Sequence, residues 1–184
     1  SADSFKANSM TKIWKPRTDQ GTSVLDKLML ARGLTPHEFN RFLDPQYADI
    51  HDPFLLKDLD AAVARIERAL AEQEKITIYA DYDADAVTAA AVLLRFFRGL
   101  QFEHIDYYIP DRFAEGYGMN QDAMKILHER GTRLIITVDC GINAFDSVST
   151  ANELGIDVII TDHHQLTAGG VPNAIAVVNP HRPG

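Results

Sequence analysis

Cysteine is nearly absent. The single Cys140 excludes an intrachain disulfide and fits a reducing, cytoplasmic setting. Long apolar runs are missing too: none approaches the roughly 20 residues needed to span a bilayer, and no signal peptide is visible, so no membrane role is expected. Basic residues are outnumbered, with 18 Lys and Arg against 26 Asp and Glu, and the net charge of −8 leaves no general basic footprint for duplex nucleic acid. Phosphates stay within reach if metal cations supply positive charge locally. Nothing repeats and no segment is low-complexity. What remains is a soluble globular balance, 46% hydrophobic and 24% charged, in 184 residues that suit one domain with a substantial core and a small appendage.

Three stretches divide the chain. Residues 1–10, "SADSFKANSM", are polar and aperiodic and read as a disordered or vector-derived segment. Residues 11–57 form a helical lead region: "TSVLDKLMLARGL" ends near Gly33, and "TPHEFNRFL" offers Thr35 as cap with Pro36 at the first helical position. From residue 58 to 184 apolar, strand-like runs alternate with helical ones. The strands fall at 76–80, 105–109, 133–138, 157–161 and 175–178, and helices at 86–98, 120–130 and 143–154 lie between them, after a first helix that begins at Asp58. Such alternation implies an α/β, doubly wound fold: a mainly parallel five-stranded sheet with helices on both faces.

Ligands of open α/β sheets bind beyond the carboxyl ends of the strands. There this sequence places Asp81-Tyr-Asp83-Ala-Asp85, Pro110-Asp111-Arg112, Asp139-Cys140-Gly141, Asp162-His163-His164 and Asn179-Pro-His181-Arg182. In an extended segment Asp81, Asp83 and Asp85 would face one side together. Two unit charges 4 Å apart repel by about 4 kcal/mol at an effective dielectric near 20, so a cluster of carboxylates must hold cations, protonate or stay dispersed. Carboxylate oxygens mixed with imidazole favour Mn²⁺ or Mg²⁺ over a structural Zn²⁺, which would recruit thiolates. More than four such ligands point to two ions, an arrangement that clamps a phosphoryl group during in-line displacement.

Each element also has a plainer explanation. A lone DxD is common in solvated loops and helix caps, and Asp85 can simply cap the 86–98 helix. Asp139-Cys-Gly can be only a turn. Asp-His-His directly after "VIIT" is more specific, because two adjacent histidines at a strand end have little structural purpose. Cys140 has no adjoining base and reads as a small buried residue rather than a nucleophile or ligand. Arg112 is either a phosphate contact or a surface arginine, and Phe113 and Tyr117 either stack on a base or pack their loop down. His37, His51, His104 and His128 lie away from the rim.

In this order, DxDxD, IPxRFxEGYG, VDCG, DHH and VVNPH resemble the DHH phosphoesterase superfamily, and most closely its RecJ-type branch of single-strand-specific 5′→3′ DNA exonucleases. The lead stretches "RGLTPHEFNRFLDP", 50–56 and "DLDAAVARI" strengthen the likeness, which runs from about residue 25 to the end. The resemblance implies Asp83, Asp85, Asp139 and His163 as metal ligands, with Asp81 a further ligand close to the same cluster, and Asp139 bridging two divalent cations, Mn²⁺ or Mg²⁺. It implies His164 as a phosphate contact, with Arg112, Asn179 and His181 near the substrate and Asp162 in support. Asp83, Asp85, Asp139, His163 and His164 would form the catalytic set.

Two departures stand out. Ala80 and Ala86 replace glycines usual in the family; Tyr79, where many superfamily members have histidine, matches many RecJ-like sequences, with Asp81 serving instead. The family's core also continues to a further aspartate ligand, a DHHA1 domain and an oligonucleotide-binding domain. The chain therefore resembles an amino-terminal fragment of a DNA repair and recombination nuclease, with little activity alone. Competing expectations are hydrolysis of short oligonucleotides, cyclic dinucleotides or pyrophosphate, and a non-catalytic DHH-like interaction module.

Overall fold

The computed structural model of the chain describes residues 15, 17–18, 20–111, 113, 116 and 118–183. Residues 1–10 lie outside this range. The chain divides after His51 into two compact units.

In the first unit, α1 (Val24–Ala31) starts at Ser23, whose Oγ accepts the Asp26 N–H at 3.0 Å while Asp26 Oδ2 accepts the Ser23 N–H at 2.9 Å. This reciprocal capping satisfies two otherwise orphaned donors. The second helix, α2 (Pro36–Leu43), begins with proline at its first position, and Glu38 accepts the Thr35 N–H at 2.8 Å. Arg41 then pairs with Asp49 at 2.8 Å, which ties α2 to the short 3₁₀ turn Tyr47–Asp49.

The second unit opens with a 3₁₀ turn, Pro53–Leu55, and continues as α3 (Leu59–Ala71), β1 (Ile76–Ala80), α4 (Ala84–Gly99), β2 (Ile105–Tyr108), α5 (Gln121–Glu129), β3 (Leu134–Val138), α6 (Phe145–Glu153), β4 (Asp157–Thr161) and β5 (Ala176–Val178). The five strands form one sheet in the order β2-β1-β3-β4-β5, and all neighbours run parallel. The expected α/β sheet is present and is wholly parallel.

Strand alternation sorts the core into two layers. Ile76, Ile78, Leu134, Ile136 and Ile159 face α3 and α4, where they meet Ala62, Ala69, Ala90 and Phe97. On the opposite face Tyr79, Ile135, Val158 and Ile160 pack with Met124 and Leu127 of α5 and with Val148 and Ala151 of α6. Every residue of β1 and β3 is buried, which is why these strands read as unbroken apolar runs.

At the amino ends of the strands the buried Arg65 of α3 pairs with Asp157 (2.5 Å) and Glu74 (2.7 Å), and Arg68 reaches the same Asp157 at 2.9 Å. At the carboxyl ends the chain leaves β1 for β2 through α4, then returns past β1 to β3 through α5 on the other face. The crevice between β1 and β3 is therefore a topological switch point, the place where such sheets bind ligands.

Candidate metal centre

The first acidic run does not continue the strand. β1 ends at Ala80, and Asp81 is 2% exposed with no hydrogen-bond partner for its Oδ1 among the described residues. Asp83 is the N-cap of α4, its Oδ1 accepting the Ala86 N–H at 3.0 Å. Asp85 sits in the first helical turn and is exposed. The extended alternation that would turn the three carboxylates one way thus gives way to a cap, because a helix beginning this early uses Asp83 rather than Asp85 to satisfy its free N–H groups. Ala86 is helical and fully buried, and Ala80 lies within β1, so neither position calls for the backbone freedom of glycine.

After β3 the chain turns sharply. Asp139 has φ +58°, a left-handed conformation that Asp tolerates better than most residues, and Gly141 has φ +110°. A Cβ on Gly141 would stand 3.1 Å from Thr137 Oγ1, the hydroxyl that closes the turn by donating to the Cys140 carbonyl at 2.7 Å. Glycine is required here on both counts. The turn aims Asp139 at His163, whose Nε2 lies 2.8 Å from Oδ1 and 3.7 Å from Asp85 Oδ2. Asp139 Oδ1 nevertheless has no aligned hydrogen-bond donor among the described residues. Burial raises the Asp139 carboxyl above its ordinary range, the charges of Asp85 and Asp83 push the same way, and His163 opposes them. Cys140 is buried and its thiol is pushed far up by burial and by Asp162, Asp81 and Asp139, which leaves it inert at neutral pH.

The two histidines after β4 differ in how they are held. His163 projects into the open, whereas Asp162 fixes His164. Buried Asp162 accepts the His164 N–H at 3.0 Å and lies 2.7 Å from His164 Nδ1, while its other oxygen accepts the Ile142 N–H at 2.9 Å. This hydrogen bond raises the His164 pKa, with smaller contributions from the charges of Asp162, Asp139 and Asp83 against burial. Asn179 is 1% exposed and uses both ends of its amide inside the protein: Nδ2 donates to the His164 carbonyl at 3.0 Å, and Oδ1 accepts the His181 N–H at 2.8 Å. His181 is exposed beside Gln165. Arg112 and Tyr117 lie outside the described residues.

Asp139, His163 and His164 each offer a ligand atom within 4.8 Å of the other two. Among the described residues, two buried carboxylate oxygens, Oδ1 of Asp81 and Oδ1 of Asp139, have no aligned hydrogen-bond donor. A buried acceptor left this way is costly unless a cation satisfies it. The donor set of carboxylate oxygen and imidazole nitrogen suits a divalent ion.

The role of Asn179 as a loop clamp was not legible in the sequence, nor was the tie between Asp162 and Ile142, since both depend on loops brought together from separate strands. The left-handed Asp139 had one available signal, the glycine two residues later.

A parallel sheet with carboxylate and imidazole groups gathered at its switch point defines an α/β domain with a candidate metal-holding group. Residues 75–184 match the model of the DHH family, N-terminal domain, and the chain belongs to that family. It is 47% identical over 164 residues to the "Single-stranded-DNA-specific exonuclease RecJ" of Bacillus subtilis (strain 168), a match covering 89% of this chain and 21% of that protein. The protein of the same name from Haemophilus influenzae is 37% identical over 158 residues, covering 86% of this chain and 27% of that protein. Among solved structures, RecJ in complex with Mn²⁺ from Thermus thermophilus superposes with a TM-score of 0.65 at 32% identity over 83% of this chain and 20% of that one. The chain thus spans about a fifth to a quarter of the curated relatives it matches. Among the described residues no helix is long and apolar enough to cross a membrane.

Proposed function

We propose that this chain is the metal-binding part of a phosphodiesterase that hydrolyses single-stranded DNA from its 5′ end, in DNA repair and recombination. The observation that carries this reading is the meeting of Asp139, His163 and His164 within 4.8 Å, with Asp85 Oδ2 3.7 Å from His163. Asp83, Asp85, Asp139 and His163 would hold two divalent cations, Mn²⁺ or Mg²⁺, with Asp81 beneath them. Bound there, such ions supply positive charge that offsets phosphate oxygens and lowers the barrier to attack by water.

The remaining roles belong to the protein's own groups. Asp162 engages Nδ1 of His164, which leaves the Nε2 edge to meet a phosphate oxygen. Asn179 holds the backbone of the same histidine, and His181 and Arg112 would contact the phosphate. The acidic balance, −8 overall, fits a polypeptide whose basic DNA-gripping surface is supplied by further domains, of the DHHA1 and oligonucleotide-binding kinds.

The test is digestion of a 5′-labelled single-stranded 40-mer by the intact protein with Mn²⁺, compared with Asp139→Ala. The variant should lose roughly 100-fold or more, the scale on which removing one charge-stabilising group acts. Undiminished Mn²⁺-dependent digestion rejects the assignment. A 5-mer and pyrophosphate assayed in parallel separate this activity from that of oligonucleotide- or pyrophosphate-specific members.

A further inference from the structure

Tyr79 is wholly buried on β1, just ahead of Asp81 and Asp83, and its hydroxyl donates to the Gly118 carbonyl at 3.0 Å. A buried phenol needs a partner of this kind, so tyrosine in place of phenylalanine matters here for where its hydroxyl goes. It goes to the loop that joins β2 to α5. The ring is held separately: it stacks on Tyr108 of the neighbouring strand, with centroids 5.4 Å apart and planes inclined by 26°. Both rings belong to the core layer facing α5 and α6, opposite the layer that packs on α4.

The carboxyl end of the β2–α5 loop is anchored residue by residue. Gly118 accepts from Tyr79, the Met119 carbonyl accepts from Ser147 Oγ of α6 at 3.1 Å, and Asn120 caps α5, its Oδ1 accepting the Ala123 N–H at 2.7 Å. Gly118 has φ +76°, and a Cβ there would meet nothing within 4 Å, so glycine is needed for its backbone angle and not for lack of room. Ordering a glycine costs more conformational freedom than ordering any other residue, and the buried bond from Tyr79 offsets that cost. Gly118 and Met119 line a cavity of about 260 Å³ together with Gly141, Asp162 and His164. Tyr79 reaches the opposite wall as well, since Cys140, next to Asp139, points its Sγ at the Tyr79 carbonyl at 3.9 Å.

We infer that Tyr79 is a positioning residue: its hydroxyl holds the Gly118–Met119 wall in place beside His164, so that substrate meets a wall already ordered. The inference rests on the phosphodiesterase reading above and adds to it a residue outside the ligand set. A site that is competent only part of the time loses apparent affinity in proportion. Removing the hydroxyl therefore weakens substrate binding and leaves the ions and the chemical step as they were.

Tyr79→Phe keeps the ring and its stack on Tyr108 and deletes only the donor. In the intact protein with Mn²⁺ and the single-stranded 40-mer, KM should rise roughly tenfold, the scale of one buried acceptor left unpaired, with kcat within about twofold of wild type. Installing 4-aminophenylalanine at position 79 returns an N–H donor to the same ring position and should bring KM back. Hydrogen exchange at the Met119 amide should quicken by about tenfold in Tyr79→Phe, a readout that needs no activity. Mn²⁺ affinity, read by electron paramagnetic resonance, should be the same in both proteins. An unchanged KM overturns the inference even if exchange quickens, because the bond then serves the fold alone. A fall in kcat at constant KM, weakened Mn²⁺ binding, or a raised KM that 4-aminophenylalanine does not reverse overturns it too. Digestion that Asp139→Ala abolishes, with KM unmoved in Tyr79→Phe, removes the positioning role alone; a wild type without Mn²⁺-dependent digestion removes both readings.

Discussion

Replacing Asp162 with asparagine keeps the volume of the side chain and removes only its charge and one acceptor. The carboxylate accepts from Ile142 N–H at 2.9 Å and His164 N–H at 3.0 Å, and lies 2.7 Å from His164 Nδ1. In either orientation the new amide turns its NH₂ toward a donor, either the Ile142 N–H or the His164 pair. A hydrogen bond to a charged group is worth about 1.5–3 kcal/mol net, and a buried donor left unpaired costs about 1–3 kcal/mol. These overlap, and no cavity is created, so Asp162→Asn should destabilise the chain by about 2–4 kcal/mol. Urea unfolding of the metal-free chain reads this as a lower midpoint with an unchanged m-value. Nuclear magnetic resonance of the His164 ring protons in EDTA gives a second readout: its pKa should fall back toward the ordinary value near 6.5. The pH dependence follows from the direction of the shift. Folding raises the His164 pKa, so the Asp162–His164 contribution is complete below about pH 6.5 and fades as pH rises through the folded value. The stability gap between wild type and variant should be wider at about pH 5.5 than at about pH 9. A variant within about 0.5 kcal/mol of wild type, the usual range for an inconsequential surface change, with an unmoved His164 pKa, would refute the reasoning.

Arg65→Ala should cost about 3 kcal/mol in chemical denaturation, the lower end for breaking a buried ion pair, because Asp157 keeps Arg68 at 2.9 Å; a loss below about 1 kcal/mol contradicts this. Asp58 starts α3 at φ +64°, and burial tends to raise its carboxyl, but the Arg182 hydrogen bond, the Val177 N–H and the Arg182 charge bring it below the ordinary range. Its contribution is therefore present above about pH 4 and is lost as pH falls through the folded value, so the gap between wild type and Asp58→Asn, which keeps the left-handed tolerance, should shrink in acid and not in base. A gap that stays constant from about pH 7 down to about pH 2.5 would count against it. Asn179→Ala removes bonds to the His164 carbonyl and the His181 N–H, and should lower stability by about 2 kcal/mol and speed hydrogen exchange at His181; unchanged exchange there removes the clamp.

The strands were legible because burial on both faces leaves a distinctive run: 76–80 and 157–161 coincide with β1 and β4, and the others shift by a residue at an end. Helix starts were read less well. α4 begins at Ala84, two residues before the expected 86, since either Asp83 or Asp85 can cap and local sequence does not choose between them. The strand order could not be read at all. That β3 lies on the far side of β1 from β2 depends on which helices cover which face, a property of the assembled core. The same limit applies at the candidate site. Residue types and their places after strands could be read directly, but the burial of Asp81, the left-handed turn at Asp139 and the internal commitments of Asn179 arise only when separate loops meet.

Charged side chains are sorted to opposite poles of this sheet. Below the strands Arg65, Arg68, Glu74 and Asp157 neutralise one another, while above them Asp83, Asp85 and Asp139 crowd together, with no ion pair to Lys or Arg among the described residues. Evolution can therefore adjust heat tolerance at the lower pole, residue by residue, without touching the carboxylate cluster at the upper one. Orthologues from hot and cold habitats built on this plan should diverge in melting temperature through the lower pole and keep the upper one alike.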